Sequence, residues 1–216
     1  MADLNTMLPI ILLSFYVSGM ATLIGTLIGV PLGTILGTKR FRGKRFFKVI
    51  IFTFYGFPPV VMGLLVFLLL SNAGPLGSMR LLFTPTAMIL AETLLVLPLV
   101  VGITMTSVGG IERNVSDAIF SLGASRRQSI LLHLKEARSG IYTAVMVGFG
   151  AAISEVGAAM MVGGNIAGET RVLTTAIVLE TRMGHFDSAL LLGVILLAVS
   201  AFVYFLLMVM GEPGDE

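Results

Sequence analysis

Apolar runs long enough to cross a bilayer set the terms for this chain. Residues 8–36 carry no charge. At about 1.5 Å rise per residue, such a run exceeds the roughly 30 Å of a hydrocarbon core as a helix, so it must tilt or emerge on one side. Further runs of spanning length lie at about 49–70, 85–107, 141–162 and 189–210. Hydrophobic residues make up 56% of the sequence and charged residues 12%, about half the charge of an ordinary soluble domain. The expectation is an all-α polytopic membrane protein, one domain over 1–216, with about five transmembrane helices. The first run is too long for the apolar part of a cleavable signal peptide and lacks a basic segment before it. The chain has no cysteine, so thiolate, disulfide and iron–sulfur chemistry are excluded.

Two runs contain backbone features unusual for a lipid-facing rod. In the first, Gly25, Gly29, Gly33 and Gly37 recur at i+4. Such a row admits close approach of another helix, in a partner or in the same chain, although glycine is also common in membrane helices generally. Pro31 leaves the Leu27 carbonyl without its helical donor and is expected to kink the helix. In the second run, Pro58 and Pro59 are adjacent. That interrupts the backbone ladder in mid-span, which is tolerated where neighbours or a cavity satisfy the freed carbonyls. A pore-lining bend is expected there.

Charge distribution orients the spans. Lys39, Arg40, Arg42, Lys44, Arg45 and Lys48 crowd the first connection, and Arg113, Arg126, Arg127, Lys135 and Arg138 fall in the third. Only Arg80, Arg171 and Arg182 remain of the 14 basic residues. The positive-inside rule puts the two basic connections in the cytoplasm. The N-terminus is then outside and the C-terminus inside, and the second basic connection, about 111–140, is the longest polar interruption inside the cell.

That connection has specific punctuation. Asn114 can cap a short helix with Asp117 reaching back, and Val115, Ile119 and Leu122 fall on one face. Gly123 stands where a helix ends in a left-handed residue, and Ser125 with Gln128 reads as a capping box that starts a second helix. Arg126 and Arg127 fall in the first turn, where the helix dipole disfavours cations unless solvent or an acidic partner holds them. Residues alone allow either a loop folded back on its own bundle or a docking elbow.

Two carboxylates, Glu92 and Glu155, lie within apolar runs, where a charge costs roughly 2.5–3.5 kcal/mol on insertion scales. Such residues face a bundle interior or water. For Glu155 a structural role, tying spans together, is preferred over pore lining; Glu92 has the weaker functional claim. The polar segment 163–188 does not cross the membrane. Within it 170–183 reads as a short amphipathic helix with Arg171, Thr174, Thr175 and Arg182 on one side, bracketed by Gly168 and Gly184. It is either an outer gate and docking surface or a plain interfacial loop. Asn165, Thr170, Thr174 and Thr175 are neutral donors of the kind that can pass an oxyanion without holding it tightly.

No enzyme motif is present. Gly37-Thr38-Lys39-Arg40 lacks the spacing of a phosphate-binding loop. His133 and His185 have no ligand partners at metal spacing, and His133 is expected on a helix surface. No catalytic residue, metal or cofactor is assigned, and any ATP chemistry has to come from another subunit.

The loop wording Asp117-Ala118, Gly123-Ala124-Ser125-Arg126 resembles the EAA loop of ABC importer permeases, with Ile119 in place of the second alanine and no closing Leu-Pro. The stretch Ser154-Glu155-Val156-Gly157-Ala158 through Gly163-Gly164-Asn165, then Thr170-Arg171-Val172-Leu173-Thr174-Thr175-Ala176-Ile177, is similar to permeases of molybdate and tungstate importers, the tungstate group above all. The resemblance is strong over the second half of the chain and one of layout over the first. It implies a type I importer transmembrane domain in a bacterial or archaeal cytoplasmic membrane. It also implies a coupling helix around Asp117, Ala118, Gly123, Ala124, Ser125, Arg126 and Arg127 that inserts into a separate ATPase, which binds the ATP. The implied translocation path or gate uses Ser154, Glu155, Gly157, Asn165, Thr170, Arg171, Thr174 and Thr175. Five helices leave a half-pore that a homodimer would close, with two ATPase subunits inside, a substrate-binding protein outside, and no nucleic acid. The rivals are an ATP-independent transporter or channel, which would be active as this chain alone, and a membrane scaffold without transport.

Overall fold

The computed structural model describes residues 4–39, 41–111, 123 and 125–211. All regular structure among them is helical. Helix α1 is Leu4–Thr38, α2 Lys44–Tyr55, α3 Pro59–Leu70, α4 Pro85–Gly109 and α5 Arg126–Glu136. Helix α6 is Arg138–Ile153, α7 Gly157–Gly163, α8 Leu173–Arg182 and α9 Phe186–Gly211, with a 3₁₀ turn at Gly77–Met79. Three helices, α1, α4 and α9, are each long and apolar enough to span. Two bent pairs, α2–α3 and α6–α7, bring the total to five if each pair is one span.

Helix α4 is the centre of the bundle, with α1, α2, α3, α6 and α7 all packed on it. Pro85 opens it at a position where a missing N–H costs nothing, and the Thr84 hydroxyl accepts the Ala87 N–H at 3.4 Å. Its partner α1 has 35 residues, about 52 Å at helical rise and longer than the roughly 30 Å core. The glycine row faces α4. A Cβ on Gly25 would stand 2.8 Å from Val96 Cγ1, and one on Gly29 2.8 Å from Val100 Cγ1. A Cβ on Gly33 would stand 2.6 Å from the Val101 carbonyl oxygen, and one on Gly37 3.0 Å from that of Met105. Two backbones therefore pack at a distance no side chain larger than hydrogen permits. The same face continues upward as Ser14, Ser18 and Thr22, all buried. Helix α1 runs unbroken through Pro31. The proline ring lies on the exposed side, and the seam grips α4 both before and after it.

The two proline-bearing and polar mid-span stretches do break. At Phe57-Pro58-Pro59 the second span becomes two helices at 98°. Pro58 precedes a proline, which bars it from the helical region, and it is extended at φ −61°, ψ 121°, while Pro59 starts α3. The fourth run, expected as one span over 141–162, is also two helices, meeting at 57° around Ser154-Glu155-Val156. No proline marks this break.

Helix α9 lies on the outside of the bundle, held through α8 and α6. Tyr204 stacks edge-on against Phe149 with ring centroids 6.3 Å apart. Most of its large side chains are exposed, Leu190 at 69% and Leu197 at 71% among them.

Candidate functional site at two broken spans

The breaks in the second and fourth spans meet. A Cβ on Gly157, at the start of α7, would lie 2.6 Å from Val60 Cγ2, one residue past the Pro58-Pro59 bend. A Cβ on Gly63 would lie 2.7 Å from the Cα of Ala158. The first turns of α3 and α7 thus cross on glycine.

Glu155 sits in the gap between α6 and α7, buried. Its Oε1 accepts the Ala158 N–H at 2.8 Å, capping α7 from inside the bundle, and its main-chain carbonyl accepts the Thr174 hydroxyl proton at 2.7 Å. One residue therefore satisfies an orphan amide of α7 and ties the break to α8. Ser154 closes α6; its exposed hydroxyl donates to the Gly150 carbonyl at 2.7 Å.

Between α7 and α8 the chain makes a tight hairpin. Gly164, Asn165 and Gly168 have φ of +74°, +53° and +78°. Thr170, fully buried, donates to the Gly163 carbonyl at 2.6 Å and accepts the Ile166 N–H at 2.9 Å. Arg171 Nε donates to Asn165 Oδ1 and its Nη2 to the Asn165 carbonyl, each at 3.3 Å. Helix α8 then re-enters. Its first amide, Leu173 N–H, donates to Ser14 Oγ of α1 at 2.8 Å, and Thr175 Oγ1 accepts the Val172 N–H at 3.1 Å and returns its proton to the Val172 carbonyl at 3.1 Å.

The structure therefore joins Glu155 to Thr174, buries Thr170 and Thr175 in the adjoining hairpin and the start of α8, and leaves Gly157, Asn165 and Arg171 half-buried and Ser154 exposed. The hydroxyl protons of Thr170, Thr174 and Thr175 are all committed to main-chain carbonyls in this conformation. The expected two-sided character of α8 is not how it packs. Its first four residues, Leu173 to Ala176, are all buried, and exposure begins at Thr181, because the N-terminal turn is inserted into the bundle end-on.

Glu92 of α4 is 2% exposed and its Oε2 accepts the Ser18 hydroxyl proton at 3.1 Å. Ser14, Ser18, Val60 and Gly63 complete the site without having been singled out. Ser14, Ser18 and Thr22 stand at i+4 intervals just ahead of the glycine row, and that spacing is the signal that could have found the serines.

At the other basic connection, Asp117, Ala118 and Ala124 lie outside the described residues, as do the side chains of Arg126 and Arg127. What is described has the expected form. Gly123 is left-handed at φ +73°, Ser125 N–H donates to Gln128 Oε1 at 2.8 Å, and Gln128 N–H donates to Ser125 Oγ at 3.4 Å. Helix α5 leaves Ile130, Leu131 and Leu132 exposed, Leu131 at 64%. His133 is not on the surface. It is buried, with Nδ1 2.7 Å from the Ser129 carbonyl oxygen.

Helices long and apolar enough to span a bilayer, with two bent pairs whose breaks meet inside the bundle, define a multispan α-helical membrane protein, since irregular backbone at membrane depth is sustained only against protein or a cavity. Comparison with known proteins supplies the family. Residues 29–214 match the model of the binding-protein-dependent transport system inner membrane component, and the chain belongs to that family. It is 43% identical over 206 residues to a probable anion ABC transporter permease protein of Haloferax volcanii, covering 92% of this chain and 89% of that one. It is 43% identical over 191 residues to the tungstate uptake system permease protein TupB of Peptoclostridium acidaminophilum, covering 88% and 84%. To the molybdenum transport system permease protein ModB of Escherichia coli K12 it is 26% identical over 189 residues, covering 83% and 82%. The chain is an ABC-type permease component of the membrane.

Proposed function

We propose that this chain forms the translocation path of an ATP-driven importer for a tetrahedral oxyanion, tungstate first and molybdate second. The substrate class rests on the similarity to the tungstate and anion permeases. Two copies enclose the path. Two ATPase subunits dock on the cytoplasmic connection 111–140, with Asp117, Ala118, Gly123, Ala124, Ser125, Arg126 and Arg127 at the contact. A substrate-binding protein docks on the outer segment 163–188, and the N-terminus is extracytoplasmic. The exposed Ile130, Leu131 and Leu132 on α5 give the elbow an apolar surface for a partner.

The observation that carries this reading is the junction of two broken spans pinned by Glu155 and Thr174. Closure of the ATPase pair pushes the elbow; α5 leads through Ala137 directly into α6, so the push arrives at the break. There the α7–α8 hairpin serves as the gate, anchored to the rest of the bundle by the Leu173–Ser14 and Thr174–Glu155 bonds. Opening it would release the Thr174 hydroxyl from the Glu155 carbonyl and make it, with Ser154, Asn165 and Arg171, available to a passing anion. Donors that engage only in the open state fit a path that must release its cargo.

The test is uptake of tungstate into proteoliposomes holding this chain with its ATPase and binding protein. Uptake that requires ATP and all three components supports the reading. Uptake by this chain alone, without ATP, establishes the rival of an independent transporter, and a fully assembled complex that moves no oxyanion removes transport altogether.

A further inference from the structure

Helix α8 begins without a cap of its own. Val172 holds the N-cap position with an extended backbone, and a valine side chain has no atom that accepts a hydrogen bond. The first amides of a helix have no partner inside it, and an unmet one in a bundle interior is destabilising. The acceptor for the Leu173 N–H comes instead from α1, where Ser14 Oγ receives it at 2.8 Å. The Ser14 hydroxyl proton is already donated to the Ile10 carbonyl at 2.7 Å, so the side chain is held in place and offers α8 a lone pair only. Both residues are buried, Ser14 at 3% exposure and Leu173 at 0%.

Among the described residues this is the one hydrogen bond between α1 and the segment 163–188. The rest of the contact is apolar: Met7, with Ile10 and Ile11 at its margin, packs with Leu173 and Ala176 of α8 and Leu192 of α9. Apolar contact has no direction and tolerates sliding, whereas a hydrogen bond weakens steeply once its length and angle are lost. Nearer the tip, residues 167–171 face Pro9, Leu12 and Tyr16 of α1 across an open cleft of about 600 Å³. Helix α1 is itself anchored elsewhere. Ser18 donates to Glu92 of α4 one turn further on, and the glycine seam follows from Gly25. Ser14 therefore fixes the register of α8 against a helix secured to the centre of the bundle.

We propose that Ser14 is a positioning residue of the outer gate: by capping α8 from α1 it holds the α7–α8 hairpin closed until ATP drives it open. The proposal rests on the reading of that hairpin as the gate. The Ser14 hydroxyl touches no cargo. It acts through the Leu173 amide and on the closed state alone, beside the Thr174–Glu155 bond on the same turn. Its loss raises the fraction of gates that stand open without ATP.

The test uses the complete transporter, this chain with its ATPase and binding protein, in proteoliposomes. The chain has no cysteine, so Ala176→Cys supplies a single thiol at a position 3% exposed and packed in the cluster that holds Met7 of α1. Its rate of modification by a small water-soluble methanethiosulfonate reports separation of α8 from α1. A non-hydrolysable ATP analogue is expected to speed modification of this parent. Without nucleotide, Ser14→Ala should speed it about tenfold, and Ser14→Thr, which keeps the hydroxyl, should return it to the parent rate. Ser18→Ala removes a buried hydroxyl from the same helix without touching α8 and should leave the rate unchanged. An equal rise in Ser18→Ala would mean general loosening of α1 and overturn the positioning role. Hydrogen exchange at the Leu173 amide of the unmodified chain needs no substitution: protection without nucleotide, and its loss with the analogue, are expected. An unchanged rate in Ser14→Ala with the nucleotide response intact overturns the latch and leaves the gate standing. No nucleotide response at Ala176→Cys or at the Leu173 amide removes the gate, and the latch with it.

Discussion

The carboxylate of Glu155 caps a helix inside the bundle, and its main-chain carbonyl receives Thr174. Both bonds can be tested one at a time. Glu155→Gln keeps an acceptor for the Ala158 N–H, so assembly and transport should largely survive. Glu155→Leu strands that amide at a cost of about 1–3 kcal/mol and should reduce the yield of assembled complex. If Gln abolishes transport while assembly is intact, the charge itself is functional. Thr174→Val conserves shape and removes only the hydroxyl; a loss of about 1 kcal/mol is expected, read as a lower unfolding midpoint of the purified chain. At the elbow, Gly123 holds φ +73°, and no described residue lies within 4 Å of where its Cβ would stand. Gly123→Val therefore meets backbone strain on the order of 1 kcal/mol or more. The variant should insert normally and fail to couple, seen as loss of substrate-stimulated ATP hydrolysis in the assembled transporter. Unchanged stimulation would remove the elbow from the coupling path.

At the scale of elements, the α1–α4 seam is the strongest determinant of the bundle. Gly33→Ala puts a methyl 2.6 Å from the Val101 carbonyl oxygen, which belongs to backbone and cannot turn aside, whereas a Cβ at Gly19 meets nothing within 4 Å. The first substitution should destabilise by about 1–3 kcal/mol and the second should be neutral, a contrast that thermal unfolding of the two variants measures directly. The pairing of spans with sides of the membrane is checked at the same scale. A cysteine at Arg42 should resist impermeant thiol reagents in intact cells, while one at Met79, 57% exposed on the next connection, should react. Gly77 is unsuitable for this purpose because it is buried against Ser71 and Asn72. Labelling in the reverse order would invert the topology. Of these elements, the spans at 85–107 and 189–210 were legible to within a few residues, since length and hydropathy alone define a straight helix. The bend at Pro58-Pro59 was legible from proline's missing N–H. The break at Ser154–Val156 was not, because nothing local forbids helix there; it exists only because a side chain and a re-entrant helix satisfy the freed groups.

For the whole molecule, the outer segment holds Glu169, Glu180 and Asp187 as well as Arg171 and Arg182, and Glu180 is paired with His185 at 3.0 Å. That surface is no basic funnel, so long-range attraction does not select an anion there. Selectivity should therefore reside in the binding protein. Exchanging it for one of different oxyanion preference, with the docking surface preserved, is expected to shift what is imported; tungstate-only uptake after the exchange would place the filter in this chain, at Thr174 and Thr175. The sequence by itself determined the material: apolar runs of membrane length, basic connections, a capping box at Ser125 and a glycine that must turn left-handed. These follow from short-range chemistry, in which each residue acts on neighbours within a turn or two. Tertiary structure alone decided that the glycine row faces α4 of the same chain, that Glu92 meets Ser18 across that seam, that the two broken spans touch at Gly157 and Val60, and that three threonines spend their protons inside the hairpin. Those contacts join residues far apart in the chain. No local periodicity encodes them, because a helix presents the same small face to whichever neighbour packing brings.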